Sequence, residues 1–126
     1  MWRIERDDSP AITTPEGIKD TIRAVIAAGI GETWLEHSDG PLLAVVPGPD
    51  RVFVMYLGGE GDAGYHAIDP AGSPEIKRGY ELRHGQRDMK ADSETVSSEN
   101  ALPIVEYLLE HNERWPGVAW HNDGED

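Results

Sequence analysis

Residues 92–120, DSETVSSENALPIVEYLLEHNERWPGVAW, read as strand, helix, strand, and what that helix must cover decides the fold. Thr95 and Val96 are β-formers that stop at Ser97 and Ser98, whose hydroxyls can accept from the unbonded amides that open a helix. Ala101, Leu102, Val105, Leu108 and Leu109 then recur at helical spacing and give one apolar side. Pro103 sets the start of this helix near Asn100 or bends it there, since an interior proline costs about 3 kcal/mol. The spacing predicts a helix over 100–110. His111 and Asn112 supply a polar stop, asparagine being tolerant of the left-handed conformation at a helix end. Trp115, Pro116 and Gly117 turn the chain, and residues 118–120 read as a last short strand ending in Trp120.

An apolar helix side needs a sheet, and the upstream sequence offers one. Trp2 and Ile4 alternate with charged residues, as a short first strand or an ordered arm would. Thr14-Pro15-Glu16 combines a hydroxyl cap, a proline at the first helical position and a carboxylate near the positive end of the dipole. Ile18, Ile22, Val25 and Ile26 share one face of the helix so opened, over 14–28, and Gly29 closes it. From Thr33 the period becomes two, with β-rich runs at 33–37, 42–46, 51–57, 65–68 and 76–82. Turns at 39–41, 47–50 and 70–72 divide them too closely for crossover helices, so neighbouring strands pair as antiparallel hairpins. Residues 51–57 alternate less than their neighbours, which places them centrally, and 84–91 read as a polar connection. The expectation is an α+β domain spanning 1–126: an antiparallel β-meander of about five to seven strands. An N-terminal and a C-terminal helix pack on it and cover one face.

Composition narrows the function. At 126 residues the chain matches one ordinary domain, and 38% apolar content with four tryptophans and four tyrosines argues for a real core. Eleven basic against twenty-four acidic residues leave a formal charge of −13, a field that repels phosphate backbones and attracts basic proteins. Acidity can also serve solubility alone. The absence of cysteine excludes disulfides and thiolate chemistry. The opening MWRIERDDSP has no apolar run, and no stretch reaches the roughly 20 apolar residues of a bilayer span, so a cytoplasmic protein without a membrane partner is expected.

Motifs for chemistry are weak. His37-Ser38-Asp39 holds the residue types of a hydrolase triad, but consecutive strand residues point to opposite faces and cannot form the relay. His37, His66, His84, His111 and His121 show no metal-ligand spacing, and Glu60, Asp62 and Asp69 lack the pattern of a calcium loop. The tip GGEGDAG at 58–64 lies between strands and carries acids, unlike a phosphate cradle. Neither metal nor cofactor is expected, and no catalytic residue is assigned.

Ser97, Glu99, Ala101, Tyr107-Leu108, Arg114, Pro116 and Trp120, together with GPLLAVV at 40–46, resemble the signature of the first Imm family of bacterial immunity proteins. Two positions depart from it: His111 stands where a glycine is common, and Trp115 is an extra residue before the proline. Members of that family neutralise polymorphic toxins, often nucleic-acid deaminases. The resemblance implies a protein without catalysis of its own that occludes the active site of a basic toxin domain. The negative charge argues against direct nucleic-acid binding, and although the sequence does not determine the oligomeric state, a monomer is expected when free. Alternatives are an adaptor for another basic protein, or a small enzyme using His66 with carboxylates such as Asp62 and Asp69. For partner contact the mobile acidic tip and its flanks are the candidates: Glu60, Asp62 and Asp69 for basic side chains, Tyr65 as an aromatic anchor. Reversing the three charges is expected to slow association while leaving the melting temperature nearly unchanged.

Overall fold

The computed structural model describes residues 1–6, 9–59 and 61–125. Its strands are β1 (Trp2–Arg6), β2 (Ser9–Thr13), β3 (Thr33–His37), β4 (Leu42–Pro47), β5 (Arg51–Leu57), β6 (Tyr65–Ile68), β7 (Lys77–Glu81), β8 (Arg87–Ala91), β9 (Val96–Ser97) and β10 (Ala119–Asn122). Two helices, α1 (Pro15–Ala28) and α2 (Ser98–His111), complete an α+β architecture. Among the described residues the main sheet has eight strands, more than expected, in the order β10-β6-β5-β4-β3-β1-β2 with β9 beside β5. All its pairings are antiparallel, and β3 to β6 form the anticipated meander. The hairpin of β7 and β8 is a separate two-stranded sheet.

Two strands escaped the sequence reading for identifiable reasons. β2 contains Pro10, which cannot donate to a ladder, and the strand is tolerated because it forms the outer edge, paired on one side to β1. β8, sequence RDMKA, buries only Ala91 and so shows no apolar face. Strand β5 corrects the opposite error. It alternates strictly, with Val52, Val54 and Tyr56 buried and the intervening residues half-buried, and it is central because β4 lies on one side and β6 and β9 on the other.

Helix α1 is built as its sequence implies. Thr14 Oγ1 accepts from the Gly17 amide at 3.1 Å, Pro15 opens the helix, and Gly29 closes it at φ 70°, its amide donating to the Val25 and Ile26 carbonyls. Helix α2 starts at Ser98, two residues before Asn100, so Pro103 lies within it. Ser97 takes the cap position with no side-chain bond to the helix, and Ser98 Oγ donates instead to the Asp50 carbonyl at 3.1 Å. Asn112 ends the helix at φ 56°, donating to the Leu108 carbonyl at 2.8 Å.

Both helices bury their apolar sides on one face of the sheet. Ile18, Ile22 and Val25 of α1 and Ala101, Ile104, Val105 and Leu108 of α2 enclose a core with Leu35, Leu43, Val45, Val52, Val54 and Val96. Ile104 belongs there, whereas Leu102 and Leu109 pack at its margin. The other face is not bare. The hairpin lies over it, with Tyr80 only 1% exposed and its ring seated on Gly48, where a Cβ would stand 2.7 Å from the Tyr80 ring. A small apolar cavity of about 180 Å³ remains under the hairpin, between Trp34, Ala44, Phe53, Met55, Tyr80 and Leu82.

Candidate functional site

The four residues read from sequence as partner contacts occupy different settings. Glu60 lies outside the described residues. Asp62 is exposed, but its carboxylate accepts from the Gly58 amide at 3.0 Å and the Gly64 amide at 3.3 Å, closing the turn between β5 and β6. Asp69 lies beyond the far end of β6, about 13 Å along the chain from Tyr65 at 3.3 Å per residue. The tip and Asp69 therefore do not form one cluster. Asp69 Oδ2 pairs with Arg51 Nη2 at 2.8 Å and Oδ1 accepts from the Ala71 amide at 3.0 Å. The Arg51 guanidinium, helped by these amides, holds the Asp69 carboxyl below its usual range despite partial burial.

Arg51 is more than a partner of Asp69. Its side chain also donates to Thr95 Oγ1 at 2.8 Å, the Thr95 carbonyl at 3.0 Å and the Asp92 carbonyl at 3.1 Å, so one fixed fork of donors organises the 92–95 turn that precedes α2. A lysine at position 69 would set a second cation against Arg51. Charge reversal at Asp69 is then expected to cost stability, because Asp69 braces the fold through Arg51.

Tyr65 stands on the helix side of the sheet, paired across from Tyr56 and Asn122. The Arg114 guanidinium lies 3.6 Å over its ring, so the supposed anchor already holds a cation. Around this stack the chain gathers Tyr107 at the end of α2, Trp115 in the following turn and Trp120 in β10, all half-buried. They line an open cleft of about 350 Å³ with Glu113, Arg114 and Pro116. Trp120 Nε1 donates to the Trp115 carbonyl at 2.9 Å, which fixes the indole. Beneath the cleft, burial and then the Glu113 carboxylate raise the Tyr56 phenol above its usual range.

The carboxylates that meet His66 are not the two the sequence offered. His66 is buried on the hairpin side of the sheet, where Nδ1 donates to Asp123 Oδ1 at 2.8 Å and Nε2 faces Glu94 Oε1 at 4.0 Å. The His121 ring lies beside it, tilted by 52° with ring centroids 5.2 Å apart. A carboxylate thus stands on each side of the imidazole, where a relay would place its nucleophile on one. Among the described residues, no group of three or more His, Asp or Glu side chains is arranged to hold a metal ion.

The chain matches no protein-family model and no curated protein. Its site must be argued from geometry. Five of the eleven basic side chains, Lys77, Arg78, Arg83, Arg87 and Lys90, fall between residues 77 and 91 against two acids, Glu81 and Asp88. Several are turned inward: Arg78 grips Asp92 with bonds of 2.8 and 3.1 Å, Arg83 joins Glu5 and Glu32, and Lys90 Nζ sits 4.2 Å over the Phe53 ring. Glu16, Asp20, Asp39, Asp50 and Glu110 keep 76–79% of their side chains in solvent. Among the described residues the exposed acids outnumber the exposed bases, which are Arg3, Arg6, Arg23, Lys77 and Arg87, so the outer surface is predominantly acidic.

The aromatic cleft was missed because its members are scattered at 107, 115 and 120 and each had a sufficient local role in helix, turn or strand. The recurrence of three large aromatics within fourteen residues was the available clue. No helix among the described residues is long and apolar enough to cross a membrane.

Proposed function

We propose that this protein is a bacterial immunity protein that binds a cognate toxin domain and blocks its active site by occlusion. The toxin expected is a nucleic-acid deaminase or another enzyme acting on nucleic acid, since such an enzyme must carry a basic groove for phosphates. The observation that carries the reading is the excess of exposed carboxylates over exposed cations in a chain of −13. A surface of that kind competes with phosphate for the same groove and speeds encounter with it. The resemblance of residues 97–120 to the Imm signature supports the same partner class.

The test is association of the purified protein with the toxin domain encoded beside it, followed by surface plasmon resonance and by toxin activity. A stoichiometric complex, an association rate that falls as salt rises from 50 to about 500 mM, and loss of toxin activity are expected. Binding that leaves the toxin active would reduce the protein to an adaptor. No binding to any basic toxin domain of the same locus would end the proposal.

A further inference from the structure

We infer that the cleft between the end of α2 and β10 receives a lysine or arginine side chain from a basic protein partner, held on the faces of Tyr107, Trp115 and Trp120 beside the Glu113 carboxylate. The inference deepens the reading of the protein as an immunity protein and takes its partner class from it. Three observations point to a cation as the guest. First, the chain's own Arg114 lies in this cluster, 3.6 Å over Tyr65 and 6.0 Å from the Trp120 ring centroid, so these rings already accept a guanidinium face. Arg114 sits closest to Tyr65, which lies beside the cleft and not in its lining.

Second, the cleft carries a carboxylate of its own. Arg114 works against a second positive charge, but Glu113 lines the same cleft and is exposed, and Glu106 and Glu110 precede it on α2. Third, the cleft is built in advance. The Trp120 indole is tied to the Trp115 carbonyl, the Tyr107 and His111 rings lie in tilted contact with centroids 4.3 Å apart, and both tryptophans pack on the core. Rigid tryptophan and tyrosine rings lose little freedom on binding and dominate the energetics of interfaces where they are enclosed. Glu113 stands at the edge of this aromatic group, as polar residues rim the centre of a protein interface.

The experiment uses the full chain labelled with ¹⁵N and two tripeptides, acetyl-Arg-Arg-Arg-amide and acetyl-Glu-Glu-Glu-amide. With the arginine peptide, the indole Nε1–H resonances of Trp115 and Trp120 are expected to shift and saturate, while those of Trp2 and Trp34 stay in place. Glu113→Lys, an exposed change with little effect on folding, should weaken that binding at least fivefold, and Trp115→Ala should abolish it. Shifts of equal size at Trp34, no shift at Trp115 and Trp120, or preference for the glutamate peptide would overturn the inference. With the cognate toxin, Glu113→Lys should raise the dissociation rate tenfold or more, beyond any change in association rate, and an unaltered dissociation rate would also overturn it. If the wild-type protein bound no toxin, the functional reading would fall, and the peptide titration would still decide the cleft.

Discussion

The two faces of the sheet are closed by different physics. On one, α1 and α2 press an apolar stripe onto Leu35, Val45, Val52 and Val54, and the core they make has no exposure to speak of. On the other, a short hairpin is held by Tyr80 at its centre and by guanidinium–carboxylate pairs at its ends: Arg83 with Glu5 and Glu32, Arg78 with Asp92. Burial of apolar area is nearly indifferent to salt and pH, whereas partly exposed ion pairs are screened by salt and lost in acid. The helix face carries most of the apolar burial, and the hairpin face is clamped by its ion pairs.

The largest loss of stability is expected from cutting into the helix side. Leu108 is 1% exposed, so Leu108→Ala is expected to cost about 3 kcal/mol in urea denaturation, with no dependence on salt. A loss below about 1 kcal/mol would mean that α2 is not the organising layer. Next comes the hairpin clamp. Arg83→Met removes the partner of Glu32, whose side chain is 12% exposed, and should cost about 1–3 kcal/mol, less at high salt. The Trp34 indole, which donates to Glu32 at 2.8 Å, should report the change by its Nε1 resonance. A salt-independent loss would show the clamp to be packing rather than charge.

Acid gives a third, smaller separation. Asp92 is held below its usual range by Arg78, Asp69 by Arg51, and Glu32, against its own burial, by the Trp34 indole and by Arg83. A carboxyl depressed in the folded state binds protons more weakly there than in the unfolded chain. It therefore contributes stability above the unfolded value, about 3.9 for Asp and 4.3 for Glu, and loses it as pH falls further, through the folded value. Stability should decline below about pH 5 with these groups responsible. Arg78→Met should flatten that decline, and Leu108→Ala should leave its slope as in the wild type. Equal slopes in all three would remove the assignment to the hairpin side. The smallest expected effect is Arg3→Ala. Its pair with Glu36 spans 3.6 Å with side chains 52% and 41% exposed, and a change in melting larger than about 0.5 kcal/mol would show that even the outer pairs of this face matter.

What was legible in the sequence is what repeats locally. The period of two marked β3, β4, β5 and β6, and the Thr14 cap, Pro15 and Gly29 marked α1, because such signals depend on neighbours within a few residues. Asn112 announced its own left-handed turn for the same reason. Strand β8 could not be read, since its partner β7 supplies the ladder and its burial comes from lying on the sheet rather than from its own apolar residues. Of the candidate site, sequence gave the acidic balance and the tip, but not the uses to which individual carboxylates are put. The pairing of Asp69 with Arg51 is not legible in the sequence, because nothing near position 69 betrays a partner eighteen residues away. His66 was set among the wrong acids because Asp123 is separated from it by 57 residues and meets it only when β10 pairs with β6. Local propensity and charge balance are properties of the chain. Which carboxylate finds a cation, and which aromatic rings converge on an edge, depend on strand register and sheet order, and these are fixed by the packing of the whole.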